Sequence, residues 1–179
     1  MEKSGRFWKK LEKECIFLHQ PVFHIEKTMA KFVGEYSVKI DDKGRMIFPS
    51  AFKSVFSPDE RMALVVKKDL FENCLEMYTR QEWAVMSQEL RSKLDLVFNE
   101  EHMKYWRTHL SDTTLAVPDP KIGRITIPKE LLDKCGIVKE VVFQCLDYKV
   151  EIWAKEDTEC GKLSSEDYRN MGRKMAGLI

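Results

Sequence analysis

The sequence predicts an α+β fold that is mainly β, and two observations support this class. A short stretch occurs twice, first as residues 41–49 and again as residues 120–128. Alternating apolar residues typical of strands flank these copies, whereas residues 79–111 repeat apolar residues at helical spacing. A duplicated stretch of this kind indicates two similar halves, so the repeat is interpreted before any single residue.

Each copy contains a turn, a Gly-Arg pair, three mostly apolar residues and a proline, and the two glycines lie 79 positions apart. Asp41 suits the first position of a type I turn and can accept a hydrogen bond from the backbone two residues on. Gly44, like Gly123, can adopt a positive φ. We therefore expect two β-hairpins with Arg45 and Arg124 at their solvent-facing tips.

The second copy differs at one position. Pro120 stands where the first copy has Asp41, and the nearest aspartate, Asp119, comes one residue early. We therefore expect the side-chain cap of the second turn to be lost or altered.

The match continues beyond the prolines. A short helix is expected after each proline, and then two strands: Met62–Val66 corresponds to Glu140–Phe143, and Leu75–Tyr78 to Val150–Trp153. A unit of about 45 residues is too small for a robust core, so two units facing each other would share one. The predicted segments are repeat 1 at 33–78, a helical connector at 79–111 and repeat 2 at 112–155.

This layout resembles the MraZ family, bacterial transcriptional regulators with two tandem AbrB-like (swapped-hairpin) halves. The resemblance runs from about Ala30 to Lys155 and rests on two Gly-Arg motifs in register with their flanks, among them Gly34-Glu35-Tyr36, Asp41-x-x-Gly44-Arg45, Ile125-x-Ile127-Pro128, Lys139-Glu140-Val141-Val142 and Glu151-Ile152-Trp153. It implies two β-hairpin repeats in a pseudo-two-fold double-psi/swapped-hairpin barrel with connecting helices. It also implies a ring-like homo-oligomer (an octamer or larger), direct-repeat DNA boxes upstream of the cell-division and cell-wall gene cluster, and repression of the protein's own operon.

The leading hypothesis for function is sequence-specific binding of double-stranded DNA. The net charge is only +1, so positive charge would have to be sorted onto one face. Arg45 and Arg124 are the candidates for base edges, because a guanidinium can pair bidentately with guanine. Five lysines are better suited to phosphates, which set the register of a protein on DNA: Lys39, Lys43, Lys53, Lys121 and Lys129.

Other functions are less well supported. An AbrB-like antitoxin or protein-interaction module is the alternative, although the second repeat replaces the disordered tail that such antitoxins use. His102 and His109 could share a helical face, but no third metal ligand is positioned with them. We therefore expect no metal, cofactor, enzymatic activity or small-molecule substrate. No apolar run approaches the roughly 18 residues of a membrane span, so a cytoplasmic, nucleoid-associated protein is expected.

The remaining segments give weaker signals. Residues 1–28 do not match the repeats and are either a start-site artefact or an accessory arm, with translation beginning at Met29 in the first case. The apolar stripe of the connector is expected in the core, with part of it at a subunit interface as the alternative. Residues 156–179 are expected to be a solvated polar tail that opens a short helix near Ser164. The five cysteines are expected to be reduced, buried thiols.

Overall fold

The structure, a computed structural model, describes residues 32–56 and 62–177. The strands are β1 (Glu35–Lys39), β2 (Arg45–Ile47), β3 (Leu64–Lys68), β4 (Leu75–Thr79), β5 (Thr113–Ala116), β6 (Arg124–Thr126), β7 (Glu140–Cys145) and β8 (Val150–Ala154). The α-helices are α1 (Arg80–Ser92), α2 (Glu100–Ser111), α3 (Lys129–Lys134) and α4 (Ser165–Met175), and 3-10 helices span Ser50–Val55 and Lys155–Asp157. The predicted arm at residues 1–28 lies outside the described residues.

A six-stranded antiparallel sheet has the order β1-β7-β8-β4-β3-β5, and β2 pairs with β6 in a separate two-stranded ladder. The order is unchanged when each strand is exchanged for its counterpart in the other half of the chain. The predicted class, mainly β with α, is therefore confirmed. The proposed boundaries of the repeats stay a prediction.

The hairpin expected at each copy is not closed within its own half of the chain, a pairing that agrees with the swapped-hairpin arrangement implied by the resemblance. Strand β1 pairs along its length with β7, and β2 pairs with β6, so each strand finds its partner in the other half of the chain. Within the first half, the single bridge between Ile40 and Met46 and the hydrogen bond from Asp41 N to the Arg45 carbonyl join the two sides of the turn. The apolar faces of the short strands are buried more completely by this exchange, because neither half could enclose a core by itself.

The core lies between the inner face of the large sheet and the β2–β6 ladder. Alternate residues of the sheet point into it, including Leu64, Val66, Leu75, Met77, Val141, Phe143, Val150 and Ile152. Phe52, on the 3-10 helix after Pro49, meets the rings of Phe32, Phe48 and Phe143 edge to face at centroid distances of 5.1–5.9 Å. The helix expected after the first proline is thus present as a 3-10 helix that inserts one aromatic side chain.

Helix α3, after Pro128, ends at a glycine. Gly136 adopts φ +64°, and the N–H groups of Gly136 and Ile137 donate to the carbonyls of Asp133 and Leu132. This is the Schellman arrangement that closes a helix with a glycine.

The connector helices pack on the outer face of the sheet. Both helices have side-chain caps at their N-termini: the Thr79 Oγ1 accepts from Glu82 N, and the Asn99 Oδ1 accepts from the N–H groups of Glu101 and His102. The expectation that their apolar stripe is core is wrong. In the described chain α1 buries only Glu82 and α2 buries no residue. Helix α1 also ends at Ser92, so Val97 is not on its face and is 79% exposed.

The strands themselves close the core, and this leaves the connector to cover polar residues on the outer face. Lys67 donates to the Glu76 carboxylate, and Lys149 Nζ lies 2.6 Å from the other oxygen of Glu76 and 3.0 Å from Glu151. All of these side chains are nearly buried. Charged groups at this depth are tolerated when they are paired, so the network fixes the register of β3, β4 and β8.

The short helix expected near Ser164 is present. Ser164 caps α4 by accepting a hydrogen bond from Asp167 N, and the helix has no buried residue. Its Tyr168, Met171 and Met175 are exposed. The cysteine expectation holds for Cys74 and Cys135, which are buried free thiols, but Cys160 is exposed and Cys145 is half-buried. Cys15 lies outside the described residues. Among the helices that the structure describes, none combines the length and apolar character needed to cross a membrane.

Candidate nucleic-acid interface

The two repeated motifs meet in the β2–β6 ladder. Met46 and Ile125, 79 positions apart, face each other at its centre, and both are buried against the core. Because successive side chains of a strand alternate between faces, the remaining ladder residues lie on the opposite side. That outward face comprises Arg45, Ile47, Arg124 and Thr126.

The two arginines stand at opposite ends of this ladder. Arg45 is paired with Thr126, and Arg124 is paired with Ile47. Ile47 is 59% exposed and Thr126 is exposed, whereas both arginines are partly buried. The arginines are thus not isolated tips, as the sequence predicted, but diagonal corners of one four-residue surface.

Each motif glycine is held by the strand of the other half. The Phe48 N–H donates to the Gly123 carbonyl at 2.8 Å, and the Ile127 N–H donates to the Gly44 carbonyl at 2.9 Å. These two bonds are equivalent under exchange of the halves. They extend the ladder by one step at each end and fix the backbone on which the arginines stand.

The first turn, residues 41–44, has the predicted geometry. The Gly44 N–H donates to the Asp41 carbonyl at 2.9 Å, and Gly44 adopts φ +72°. Asp41 Oδ1 accepts from the N–H groups of Lys43 and Arg45, each at 3.0 Å. A Cβ on Gly44 would lie 2.3 Å from the Ile127 carbonyl oxygen, so this position requires glycine for space as well as for φ.

Asp41 also pairs with the Arg45 side chain. Its Oδ2 accepts from Arg45 Nε at 2.8 Å and lies 2.7 Å from Nη2. The hydrogen bond from the Arg45 side chain is the main cause that lowers the pKa of Asp41 to about 2, and the backbone N–H of Arg45 adds to it. The sequence indicated the turn-shaping role of Asp41 but not this contact.

The second turn, residues 119–123, is one residue longer. Asp119 takes the capping role: its Oδ1 accepts from Lys121 N at 2.9 Å and from Ile122 N at 2.8 Å. Its backbone is paired with Arg124 and Gly123, and Gly123 adopts φ +69°. The predicted alteration of the cap is therefore a change of residue and loop length, not a loss.

Arg124 differs from Arg45 in its surroundings. Within the described residues no carboxylate forms a salt bridge with Arg124, because Asp119 directs its Oδ1 to the backbone of its own turn. Among the described residues, the Arg45 guanidinium therefore has a carboxylate partner and the Arg124 guanidinium has none.

The predicted phosphate-binding lysines are all exposed, and two of them contribute to the motif of the other half. Lys53 of repeat 1 lies beside Gly123: a Cβ on that glycine would be 3.9 Å from the Lys53 Nζ. Lys39 and Lys53, together with Ile122 and Gly123, line a concave surface that encloses a volume of about 560 Å³. Lys129 of repeat 2 lines a smaller cavity of about 300 Å³ beside the first turn.

The sequence did not single out Ile47 and Thr126 as part of this surface. The signal was available, because residues two positions after an arginine on a strand share its face. What the sequence could not give was the pairing of β2 with β6, which places the four residues side by side.

Most of the other candidate ligand groups have internal partners, although the buried His109 Nε2 has no hydrogen-bond partner among the described residues. His102 Nδ1 accepts from Asp95 N at 2.9 Å, and His109 stacks with the rings of Trp83 and Trp106. Asp69, Cys74 and Glu151 bring potential metal-ligating atoms within 4.8 Å of one another. The Lys149 ammonium already stands beside both carboxylates, and burial raises the pKa of the Cys74 thiol, which disfavours the thiolate a metal needs.

Comparison with known proteins gives a consistent family. Residues 31–104 match the family described as "MraZ protein, putative antitoxin-like". Three similar proteins carry the name transcriptional regulator MraZ. The one from Bacteroides thetaiotaomicron is 36% identical over 140 residues, which cover 78% of this chain and 88% of the relative.

The relative from Bacteroides fragilis is 37% identical over 131 residues, or 73% of this chain and 82% of the relative. The relative from Clostridium tetani is 31% identical over 147 residues, or 82% of this chain and 98% of the relative. Since these relatives are 31–37% identical to the chain and are matched over 82–98% of their own length, the chain belongs to the MraZ family.

Proposed function

We propose that this protein is a DNA-binding transcriptional regulator that recognises specific sequences with the outward face of the β2–β6 ladder. The observation that supports this most is the placement of two arginines on one exposed, backbone-braced surface. The names of the relatives, which describe regulators and not enzymes, support the same class of function.

The chemistry of the face suits a DNA groove. A two-stranded β-ribbon fits the major groove, where an arginine can donate two hydrogen bonds to O6 and N7 of guanine. Asp41 uses two of the five N–H donors of Arg45, so three remain for a base edge. Ile47 can contact a thymine methyl group, and the Thr126 hydroxyl can donate or accept.

Lysines around the face would supply contacts to the backbone. Lys39, Lys43, Lys53, Lys121 and Lys129 are exposed on the turns or next to them. Phosphate contacts position a protein on the duplex without selecting its sequence. Under this proposal the arginines select the sequence, whereas the lysines set affinity and salt dependence.

A single subunit offers few base contacts, so we infer that several subunits act together in a ring-like homo-oligomer. Linking several faces raises the effective concentration of each and increases avidity without new contacts. Exposed apolar side chains outside the ladder, among them Phe71, Phe98, Tyr168 and Met175, are consistent with contacts between subunits. Light scattering that gives a monomer at micromolar concentration would contradict this part of the proposal.

The resemblance to the family extends the proposal to specific targets: direct-repeat boxes upstream of the cell-division and cell-wall genes, with repression of the protein's own operon. The cytoplasm and nucleoid are the corresponding location. The alternative is a protein-interaction role, which the "antitoxin-like" wording of the family description favours. In that case the exposed apolar side chains would meet a different protein.

Titration of the full chain against labelled DNA separates the two candidates. Fluorescence anisotropy with the DNA upstream of its own gene, and with a scrambled duplex of equal length and composition, should give at least tenfold tighter binding to the first. Equal affinity for both duplexes would contradict sequence-specific regulation and leave the interaction role as the better account.

A further inference from the structure

The two turns that flank the ladder differ in charge at positions that exchange of the halves makes equivalent. Asp42 in the first turn corresponds to Lys121 in the second, 79 positions later. A Cβ on Gly44 would lie 3.2 Å from the Leu132 Cδ1, whereas a Cβ on Gly123 would lie 3.9 Å from the Lys53 Nζ. Leu132 and Lys53 also occupy equivalent positions. The first turn is therefore packed against the methyl group of Leu132, and the second turn lies beside the ammonium group of Lys53.

The cavity beside the first turn is acidic. Asp41, Asp42 and Asp133 line it, with Lys129 as the basic residue among them. Counting Lys43 and Arg45 as well, positive and negative charges at this end of the ladder balance. A phosphate placed there would meet no excess of positive charge, because three carboxylates balance three cations and Arg45 is already paired with Asp41.

The concave surface beside the second turn is basic. Lys39 and Lys53 line it, and none of the described residues that line it is acidic. With Lys121 and Arg124 against Asp119, this end has an excess of three positive charges. Glu140 is the cross-strand neighbour of Lys39, but it does not lower the net charge of this surface, because Lys155 binds its carboxylate.

We propose that the surface formed by Lys39, Lys53 and the second turn is a phosphate-binding cleft, and that the acidic first turn binds no phosphate with comparable strength. Each subunit then lies on DNA in one orientation only, with Arg45 and Arg124 on the base edges and the second turn, residues 119–123, on the sugar-phosphate backbone together with Lys39 and Lys53. This inference rests on the proposed function and adds a direction to it. The near-symmetry of the ladder alone would allow both orientations.

Salt titration of matched variants tests the charge difference. Each phosphate contact contributes about 0.9 to the magnitude of the slope of log K against log salt concentration. Per contact, the binding constant is therefore roughly eightfold higher at 0.1 M salt than at 1 M salt. Lys53→Ala and Lys39→Ala should each lower the slope by about this amount on cognate and scrambled duplexes alike. Lys129→Ala should lower it by less than half as much, and Lys104→Ala, on the exposed face of α2, should leave it unchanged.

A gain of charge provides the converse test. Asp42→Lys gives the first turn the residue that the second turn has, and Asp42 is exposed. The variant should raise the salt slope and tighten binding to scrambled DNA, while thermal unfolding stays that of the wild type. No change in slope, with the fold intact, would show that the charge of the first turn does not control phosphate binding.

Ethylation interference on one DNA box tests the orientation. Phosphates whose blocking weakens binding should lie to one side of the base pairs affected by Arg45→Ala. A pattern symmetric about those base pairs, or equal effects of Lys53→Ala and Lys129→Ala, would overturn the inference while sequence-specific binding survives. Equal binding of the wild type to cognate and scrambled DNA would instead overturn the proposed function, and this inference with it.

Discussion

Asp41 and Arg45 form an ion pair within the first Gly-Arg motif, with one carboxylate oxygen 2.8 Å from Nε and 2.7 Å from Nη2 of the guanidinium. The other carboxylate oxygen caps the turn through two backbone N–H groups. One aspartate thus shapes the turn and orients the side chain that we assign to base contact. Arg124 in the second motif has no such partner among the described residues.

We expect the Asp41 carboxyl to titrate with a pKa of about 2 in the folded protein, well below its ordinary value of 3.8. A lowered pKa means that the pair is fully present above about pH 4 and is lost as the pH falls through 2. Carbon-detected NMR titration of the carboxylate measures this directly. Arg45→Gln should move the midpoint back toward 3.8, and an unchanged midpoint in that variant would contradict the pair.

Gly44→Ala should destabilise the protein more than Gly123→Ala. Both glycines have φ near +70°, so both substitutions incur the cost of the left-handed region, about 1–2 kcal/mol. Only the Gly44 variant adds a contact of 2.3 Å with the Ile127 carbonyl oxygen, which forces a backbone shift that costs roughly 1–3 kcal/mol more. Denaturant unfolding of both variants measures the difference. Equal losses would show that the ladder accommodates the extra methyl group.

The turns were predictable from the sequence, whereas the pairing of the strands around them was not. The duplicated Gly-Arg motif was enough to predict the two turns and, with the apolar patterns around it, the α+β class. It was not enough to predict that β2 pairs with β6 instead of completing a hairpin, because apolar alternation specifies which face is buried but not which strand is the partner.

The misplaced connector has a similar cause. Helical periodicity predicted the helical connector, but an apolar stripe looks the same whether it enters a core or lies half-exposed on the outer face of a sheet. The buried network that these helices cover was also missed. Lys67, Glu76 and Glu151 alternate with core residues along their strands and therefore looked like ordinary exposed positions.

Glu76→Gln should lower the free energy of unfolding by roughly 3–5 kcal/mol, because Lys67 and Lys149 would both lose the carboxylate that they share. The matched control is Glu100→Gln, which breaks the exposed pair with Lys104 and should cost less than about 1 kcal/mol. Urea unfolding at neutral pH compares the two. A loss at Glu76 no larger than at Glu100 would mean that water reaches the network.

The His109 ring should make the protein less stable in mild acid. Burial lowers the pKa of His109, and nearby Lys67 adds to the effect while Glu76 opposes it. The stability associated with the neutral ring is present above the ordinary pKa near 6.5 and is lost as the pH falls toward the lower folded value. His109→Phe, which can keep the stack with Trp83 and Trp106, should show a shallower loss of stability between pH 7.5 and 5.5. An identical pH profile would exclude His109 as the cause.

The most direct test of the central claim is a titration of wild type, Arg45→Ala and Arg124→Ala against cognate and scrambled duplexes. Each substitution should weaken cognate binding by roughly 1–3 kcal/mol per subunit in contact, the usual value of a bidentate base contact, with little change for the scrambled duplex. Arg45→Ala should have the larger effect, because Asp41 holds that guanidinium in place before binding. If Arg45→Ala binds cognate DNA as the wild type does, the β2–β6 face does not recognise bases and this account of the protein is wrong.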